Sequence, residues 1–262
     1  MSDSVLLKRD RDILTIVLNR PEKRNALSPE MVNELHRQID RVSRDSEIRA
    51  VILTGAGKAF CAGADLAYLK QLSTFSEAEN LQDSKNLAEL FNKIYHLQKL
   101  TVAMVTGAAL AGGCGLALCC DYIFAASETA KFGFTEVRIG FVPAIVMNFL
   151  IRKIAPGTAL HLALSGKIFS AEEAKKLGLV EQVFPLNGLR DRTMDFIGTI
   201  LQQNSFQAMM TTKTLLQDLL EHPLNRGLEI ASAVNAKSRQ THDCQQGLKA
   251  FLNKEKIEWR KF

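Results

Sequence analysis

Two segments built alike constrain this chain more than anything else in it. Each passes from an apolar stretch through a loop of small residues into the start of a helix. The first runs through residues 50–54 and a glycine-rich loop at 55–63, with a helix beginning near Asp65. The second runs through residues 102–106 and the loop 107–115 (GAALAGGCG), with a short apolar helix expected at 116–120. A short, uniformly apolar run is the mark of a strand buried on both faces of a parallel sheet. Glycine and alanine let two pieces of backbone approach closely where such a strand turns into a helix. Used repeatedly, this pattern predicts an α/β fold of ββα units around a mostly parallel core.

The remaining segments agree. Residues 5–8 and 13–18 read as strands joined by a DRD hairpin turn. Ser28, Pro29 and Glu30 form a strong helix start, and Met31, Val32, Leu35, Ile39 and Val42 give that helix one apolar face. Ser76 with Glu79 makes a capping box for a helix reaching about His96, and Ser170 with Glu173 a second one, ended by Gly178. Strands are expected at 122–125 and 180–184. From about Gly188 only helices are expected, and the amphipathic tail beyond about Leu201 suits packing on its own core or on a neighbouring subunit. The expected division is a core domain over 1–200 and a helical oligomerisation region over 201–262.

A chain of 262 residues can bury a full core without disulfides or metals. The net charge of +5 is too small and too dispersed to point to nucleic acid, yet it suits a polyanionic nucleotide ligand. The five cysteines form no CxxC pair, and Cys119–Cys120 sits in an apolar run. Buried free thiols are expected, and with them a reducing compartment, a matrix or, as the preferred expectation, a cytoplasmic setting. No uncharged apolar segment reaches membrane-spanning length, and the N-terminus is charged too early for a signal peptide. The histidines share no metal-ligand spacing, and neither GxSxG, GxGxxG nor a phosphate-binding loop occurs.

Three segments can carry chemistry. In KAFCAGADL, residues 58–66, a helix start leaves N–H groups unpaired, and Ala62, Gly63 and Ala64 leave them accessible. In residues 107–115, Gly112 and Gly113 can present N–H groups in the same way, or can serve close helix–strand packing. Two such sites converging on one carbonyl would make an oxyanion hole. In KFGFTEVRIGFVP, residues 131–143, Glu136 lies among Phe132, Phe134, Val137, Ile139 and Phe141. Desolvation there would raise its pKa and suit it to proton transfer near neutral pH. The alternative is an exposed glutamate whose aromatic neighbours point elsewhere. Tyr68 either lines an acyl pocket or packs. Asp121 reads as a hydrogen-bonding residue at a helix end or strand start.

LNRPEKRNALS, AVILTGAGKAFCAGADL, VTGAALAGGCGLALCCDY, AKFGFTEVRIGFVP, SGKIFSAEEAKKLGLVEQVFP and GLKAFLNKEKIEW follow one another along the chain. Together they closely resemble the crotonase (enoyl-CoA hydratase/isomerase) family over essentially its whole length. The resemblance implies a crotonase-type spiral of ββα units with a C-terminal helical trimerisation region, assembled as a homotrimer or as a hexamer of paired trimers. It implies an acyl-CoA thioester substrate with no cofactor beyond that coenzyme A. The thioester oxygen would lie between the N–H groups of Ala64 and Gly112, with Gly113 beside it. Coenzyme A would run past Arg24, Ala26, Ala62 and Leu66, and Lys254 and Lys256 would meet its phosphates.

Hydratases of the family carry two catalytic glutamates. One matches Glu136; the other position holds Gly115 here. A lone glutamate suits a proton shuttle between carbon-4 and carbon-2, as in the family's Δ3,Δ2-enoyl-CoA isomerases, and that is the preferred expectation. The alternatives are a hydratase, including one for methylglutaconyl-type substrates, with another acid, and an acyl-CoA-binding protein with little catalysis. RNA binding, acquired by a few relatives, lacks a basic run interleaved with aromatics.

Overall fold

The computed structural model describes residues 4–261, apart from the side chains of Leu66 and Lys261. Within them the chain forms two compact units, divided between Thr193 and Met194.

The first unit opens with the hairpin β1 (Val5–Asp10) and β2 (Ile13–Leu18). Then comes α1 (Pro29–Arg44), whose Met31 N–H donates to the Ser28 hydroxyl and whose five expected apolar residues are buried. From β3 onward one unit recurs. A long strand is followed by a short one and then by helix: β3 (Ala50–Gly55), β4 (Ala59–Cys61), then α2 (Leu66–Leu72) and α3 (Glu77–Tyr95). The next is β5 (Leu100–Val105), β6 (Ala108–Leu110) and α4 (Gly112–Leu118). The third is β7 (Tyr122–Ala126) and β8 (Lys131–Gly133), followed by a 3-10 turn at Glu136–Ile139 and by α5 (Ala144–Leu150) and α6 (Pro156–Ser165). β9 (Ile168–Ser170), α7 (Ala171–Lys176) and β10 (Gln182–Phe184) complete the two sheets.

The long strands form one sheet in the order β1-β2-β3-β5-β7-β10, parallel except for the opening hairpin. The short ones form a second, β4-β6-β8-β9, parallel except for β9. Each ββα unit therefore contributes one strand to each sheet, which is the spiral expected from the sequence. The strands β3 and β5 are buried almost throughout, as their uniform apolar runs require. Asp121 accepts from the Thr101 N–H and hydroxyl at 2.8 and 2.9 Å, joining the starts of β7 and β5.

Four local expectations change. The loop 55–63 contains β4, because Asn25 donates to the Ala56 and Ala59 carbonyls and draws the chain back into extended form. The helix expected at 116–120 spans Gly112–Leu118, and its Gly113 sits where the Cys61 backbone leaves no room for a side chain. The Ser170 cap is half a capping box, since Lys167 takes the Glu173 carboxylate at 2.8 Å. The strand expected at 180–184 narrows to β10.

The helix α8 (Leu186–Gln203) carries the division between units, and α9 (Phe206–Leu219), α10 (Leu224–Ser238) and α11 (His242–Asn253) lie in the second. Within that unit the Ser205 hydroxyl accepts from the Ala208 N–H and donates to Asp243, capping α9 and tying it to α11. Leu224, Phe251 and Leu252 stand more than three-quarters exposed, at 77, 80 and 77%. Among the described residues no helix is long and apolar enough to cross a membrane.

Candidate active site

The small sheet assembles the site. Cys61 of β4 is in register with Ala109 of β6, and Ala109 with Phe132 of β8. These three strands run parallel, so their C-terminal ends share one edge. Ala64 follows β4, Gly112 follows β6 and Glu136 follows β8, each within three residues of its strand's end. Residues far apart in sequence are thereby brought to one sheet edge, where open α/β sheets place ligands.

Contacts confirm the convergence of the first two loops. A Cβ built on Gly63 would lie 3.0 Å from the Leu110 carbonyl and 3.5 Å from the Gly112 nitrogen. Gly63 also needs its glycine for a φ of 89°. Ala64 pairs with Leu27 in an isolated parallel bridge: Leu27 N–H donates to Gly63 O at 2.7 Å, and Asp65 N–H donates to Leu27 O at 3.0 Å. In that pattern the bonds use the residues flanking Ala64, so its own N–H points away from Leu27. Ala64 is exposed.

Gly112 is the first residue of α4, whose N-cap Ala111 supplies no side-chain acceptor and sits at φ 49°, ψ −123°. Such a backbone is strained for alanine, and it is held by the Ala111 N–H bond to Gly133 O at 2.8 Å. Gly112 and Gly113 differ in kind. A Cβ on Gly112 would meet Leu27 at an ordinary 3.5 Å, whereas one on Gly113 would lie 2.1 Å from the Cys61 carbonyl. Gly112 has room for a side chain at ordinary contact distance; Gly113 is the packing glycine that seats α4 on β4.

Glu136 begins the 3-10 turn, which Gly140 closes in the left-handed region at φ 76°. Phe132 and Phe134 before it are buried, whereas Ile139 and Phe141 after it stand 66 and 51% exposed. The flanking aromatics thus cover only one side, and that suffices. The Oε2 atom of Glu136 is buried without a hydrogen-bond partner among the described residues. Burial pushes the carboxyl above its ordinary pKa, partly offset by its own backbone N–H. Its charge is felt by the Cys114 thiol, which burial first and Glu136 second push up. The carboxylate therefore lies near Cys114 of α4, two residues after Gly112.

The other candidates divide. Arg24 is exposed, and its carbonyl accepts from the Ala62 N–H at 3.1 Å, so these two lie together near Ala64. Ala26 is buried and its carbonyl is taken by Arg20 Nη1 at 3.0 Å. The Leu66 side chain lies outside the described residues. Tyr68, on α2, donates its hydroxyl to Asp83 of α3, which fixes the ring between those helices. Lys254 and Lys256 are exposed in the second unit, Lys254 as the left-handed C-cap of α11. No group of three or more described His, Cys, Asp or Glu side chains could hold a metal.

Two features had no sequence signal. The Gly115 Cα faces Phe91 and Val146, each of which would lie 2.7 Å from an added Cβ. Arg20 reaches across 45 residues to Asp65, at 2.8 Å. Both contacts join segments that no local pattern links.

Comparison with known proteins meets this geometry. The family model for enoyl-CoA hydratase/isomerase matches residues 8–261. A putative enoyl-CoA hydratase of Thermus thermophilus is 41% identical over 92% of this chain and 95% of its own. The short-chain-enoyl-CoA hydratase of Clostridium acetobutylicum is 31% identical over 98 and 97%. The crystal structure of an enoyl-CoA hydratase from Mycobacterium smegmatis superposes with a TM-score of 0.92 at 29% identity, covering 98% of this chain and 99% of that one. A structure from Legionella pneumophila, a putative enoyl-CoA hydratase/isomerase, gives 0.89 at 33%, covering 99 and 100%. With the sheet edge, the spiral and the match along nearly its whole length in agreement, this chain belongs to the enoyl-CoA hydratase/isomerase, or crotonase, family of enzymes.

Proposed function

We propose that the protein catalyses a 1,3-proton transfer on an unsaturated acyl-CoA, with Glu136 as its single acid/base and the Ala64 and Gly112 N–H groups as the oxyanion hole. The observation that carries this reading is Gly115. Its place is closed off by Phe91 and Val146, so no second carboxylate stands on that turn of α4. One carboxylate can remove a proton from carbon-2 of a 3-enoyl thioester. The electron pair moves onto the thioester oxygen, where two preorganised N–H donors stabilise the dienolate. The protonated Glu136 then delivers its proton to carbon-4, and the double bond lies between carbons 2 and 3. Net atoms are unchanged, and no water is consumed. Each well-placed donor contributes about 3 kcal/mol to such a barrier. Burial supports the role, because it holds the carboxyl closer to neutral than an exposed glutamate.

Hydration is the second reading, favoured by the relatives named hydratases, including a crotonyl-CoA hydratase of Syntrophomonas wolfei at 31% identity. It requires a group other than residue 115 to handle the second proton. Product analysis separates the two. A 3-enoyl-CoA converted to the 2-enoyl isomer, with no 3-hydroxyacyl-CoA formed from a 2-enoyl-CoA in water, supports isomerisation. The reverse result overturns it.

Coenzyme A, in this reading, passes Arg24, Ala26, Ala62 and Leu66, while Gly113 seats the helix beside the thioester and Tyr68 lines the acyl pocket. Its phosphates meet Lys254 and Lys256, supplied by the same or a neighbouring subunit. The exposed Leu224, Phe251 and Leu252 support a trimer, or a hexamer of trimers, formed through the region 201–262. The free, mostly buried cysteines support a reducing, cytoplasmic setting.

A further inference from the structure

The Ala64 donor stands in an irregular link between β4 and α2, held by neither sheet nor helix. The isolated bridge to Leu27 is what orients it. Both sides of that bridge are gripped by one side chain. Arg20 donates from Nη1 to Ala26 O, the residue before Leu27, at 3.0 Å, and from Nη2 to Asp65 Oδ2, the residue after Ala64, at 2.8 Å. Asp65 uses its other oxygen to accept from the Ala67 N–H at 2.9 Å, so it also starts α2.

Beneath them Asn25 is fully buried. It accepts from the Arg20 N–H at 2.9 Å and donates to the carbonyls of Ala56 and Ala59, both at 2.8 Å. Arg24 and Asn25 are consecutive left-handed residues, at φ 52° and 54°, neither of them glycine. That conformation persists only where surroundings dictate it. A part-buried ion pair such as Arg20–Asp65 adds little net stability, because desolvation offsets attraction. What it does supply here is a fixed geometry at a donor that must meet one oxygen.

We propose that Arg20, Asp65 and Asn25 are positioning residues for the oxyanion hole: they clamp the Leu27–Ala64 bridge and so aim the Ala64 N–H at the substrate oxygen. The inference rests on the reading of Ala64 and Gly112 as the thioester-oxygen donors. Loosening the clamp leaves the coenzyme A contacts in place and removes part of the transition-state stabilisation.

The test is infrared spectroscopy of a saturated acyl-CoA, carbon-13 labelled at the thioester carbonyl, bound to the wild type, Asp65→Asn and Arg20→Lys. Asparagine still caps α2, and lysine keeps the charge without the two-pronged grip. Steady-state rates, ligand Kd and Tm are measured on the same samples. In the wild type the carbonyl stretch falls on binding, and in both variants much of that fall is lost. The kcat drops roughly 10- to 100-fold while the Kd stays within about threefold. If Asp65→Asn fails to fold, Arg20→Lys carries the comparison. A wild-type carbonyl shift retained in the folded variants, whether kcat is kept or falls only with Tm, overturns the positioning role. No carbonyl shift in the wild type overturns the donor assignment itself.

Discussion

Phe91 fills the space that a side chain at Gly115 would need: a Cβ on the glycine would lie 2.7 Å from the ring Cε2. The ring cannot swing freely away. It stacks edge-on against Phe149, with centroids 5.9 Å apart, and Phe149 in turn meets Tyr95 at 5.6 Å. This aromatic wall leaves no room for a carboxylate side chain at position 115 of α4.

Replacing Gly115 by glutamate is therefore expected to unfold the protein more easily without creating a hydratase. Overpacking of this kind costs about 1–3 kcal/mol, and a buried charge adds to that. Urea denaturation reads the loss. A variant as stable as the wild type would show that Phe91 and Val146 yield.

The paired glycines of α4 give a sharper contrast. Gly113→Ala drives a methyl into the Cys61 carbonyl, a backbone group that cannot rotate away, and should cost about 3 kcal/mol or more. Gly112→Ala places its methyl at contact distance from Leu27 and should change stability by less than about 1 kcal/mol. Comparable losses in thermal unfolding would contradict the division of roles between these neighbours.

Glu136→Gln should lower kcat by about 10²- to 10⁴-fold and leave acyl-CoA affinity nearly intact. Isothermal titration with a saturated acyl-CoA checks the second half. A variant with undiminished turnover removes Glu136 from the chemistry.

The same substitution has a stability signature whose sign follows from the raised pKa. Folding favours the protonated carboxyl, so its contribution is fully present below the unfolded-state pKa. It is lost as pH rises through the higher folded-state value. At neutral pH the glutamine variant should melt a few degrees above the wild type, and the gap should close in acid. Differential scanning calorimetry across that range decides it.

The catalytic rate should show the matching limb. The proposed base works deprotonated, so kcat rises with pH through an apparent pKa above the ordinary glutamate value. A limb at the ordinary value, or none, would mean that the buried Oε2 atom is not where the proton goes.

The amino-acid order by itself determined the elements that depend on neighbours a few residues away. Ser28-Pro29-Glu30 and Ser76 with Glu79 start helices because cap and acceptor lie within one turn. The apolar runs of β3 and β5 announce buried parallel strands, and the small-residue loops after them announce exposed N–H groups. Glu136 was legible only as a candidate desolvated carboxylate among five apolar neighbours, of which the structure buries Phe132 and Phe134 and leaves Ile139 and Phe141 exposed. The tertiary structure alone decided which strands share an edge, because β4, β6 and β8 are three residues long and too short for a periodic signal. It also decided that Gly112 faces Leu27 at ordinary contact distance and Gly113 a carbonyl, that Phe91 fills the space beside Gly115, and that Arg20 clamps Asp65. Those facts are distances between segments separated by tens of residues. Local propensity cannot encode them, since they arise only when the parallel register brings the strand ends together.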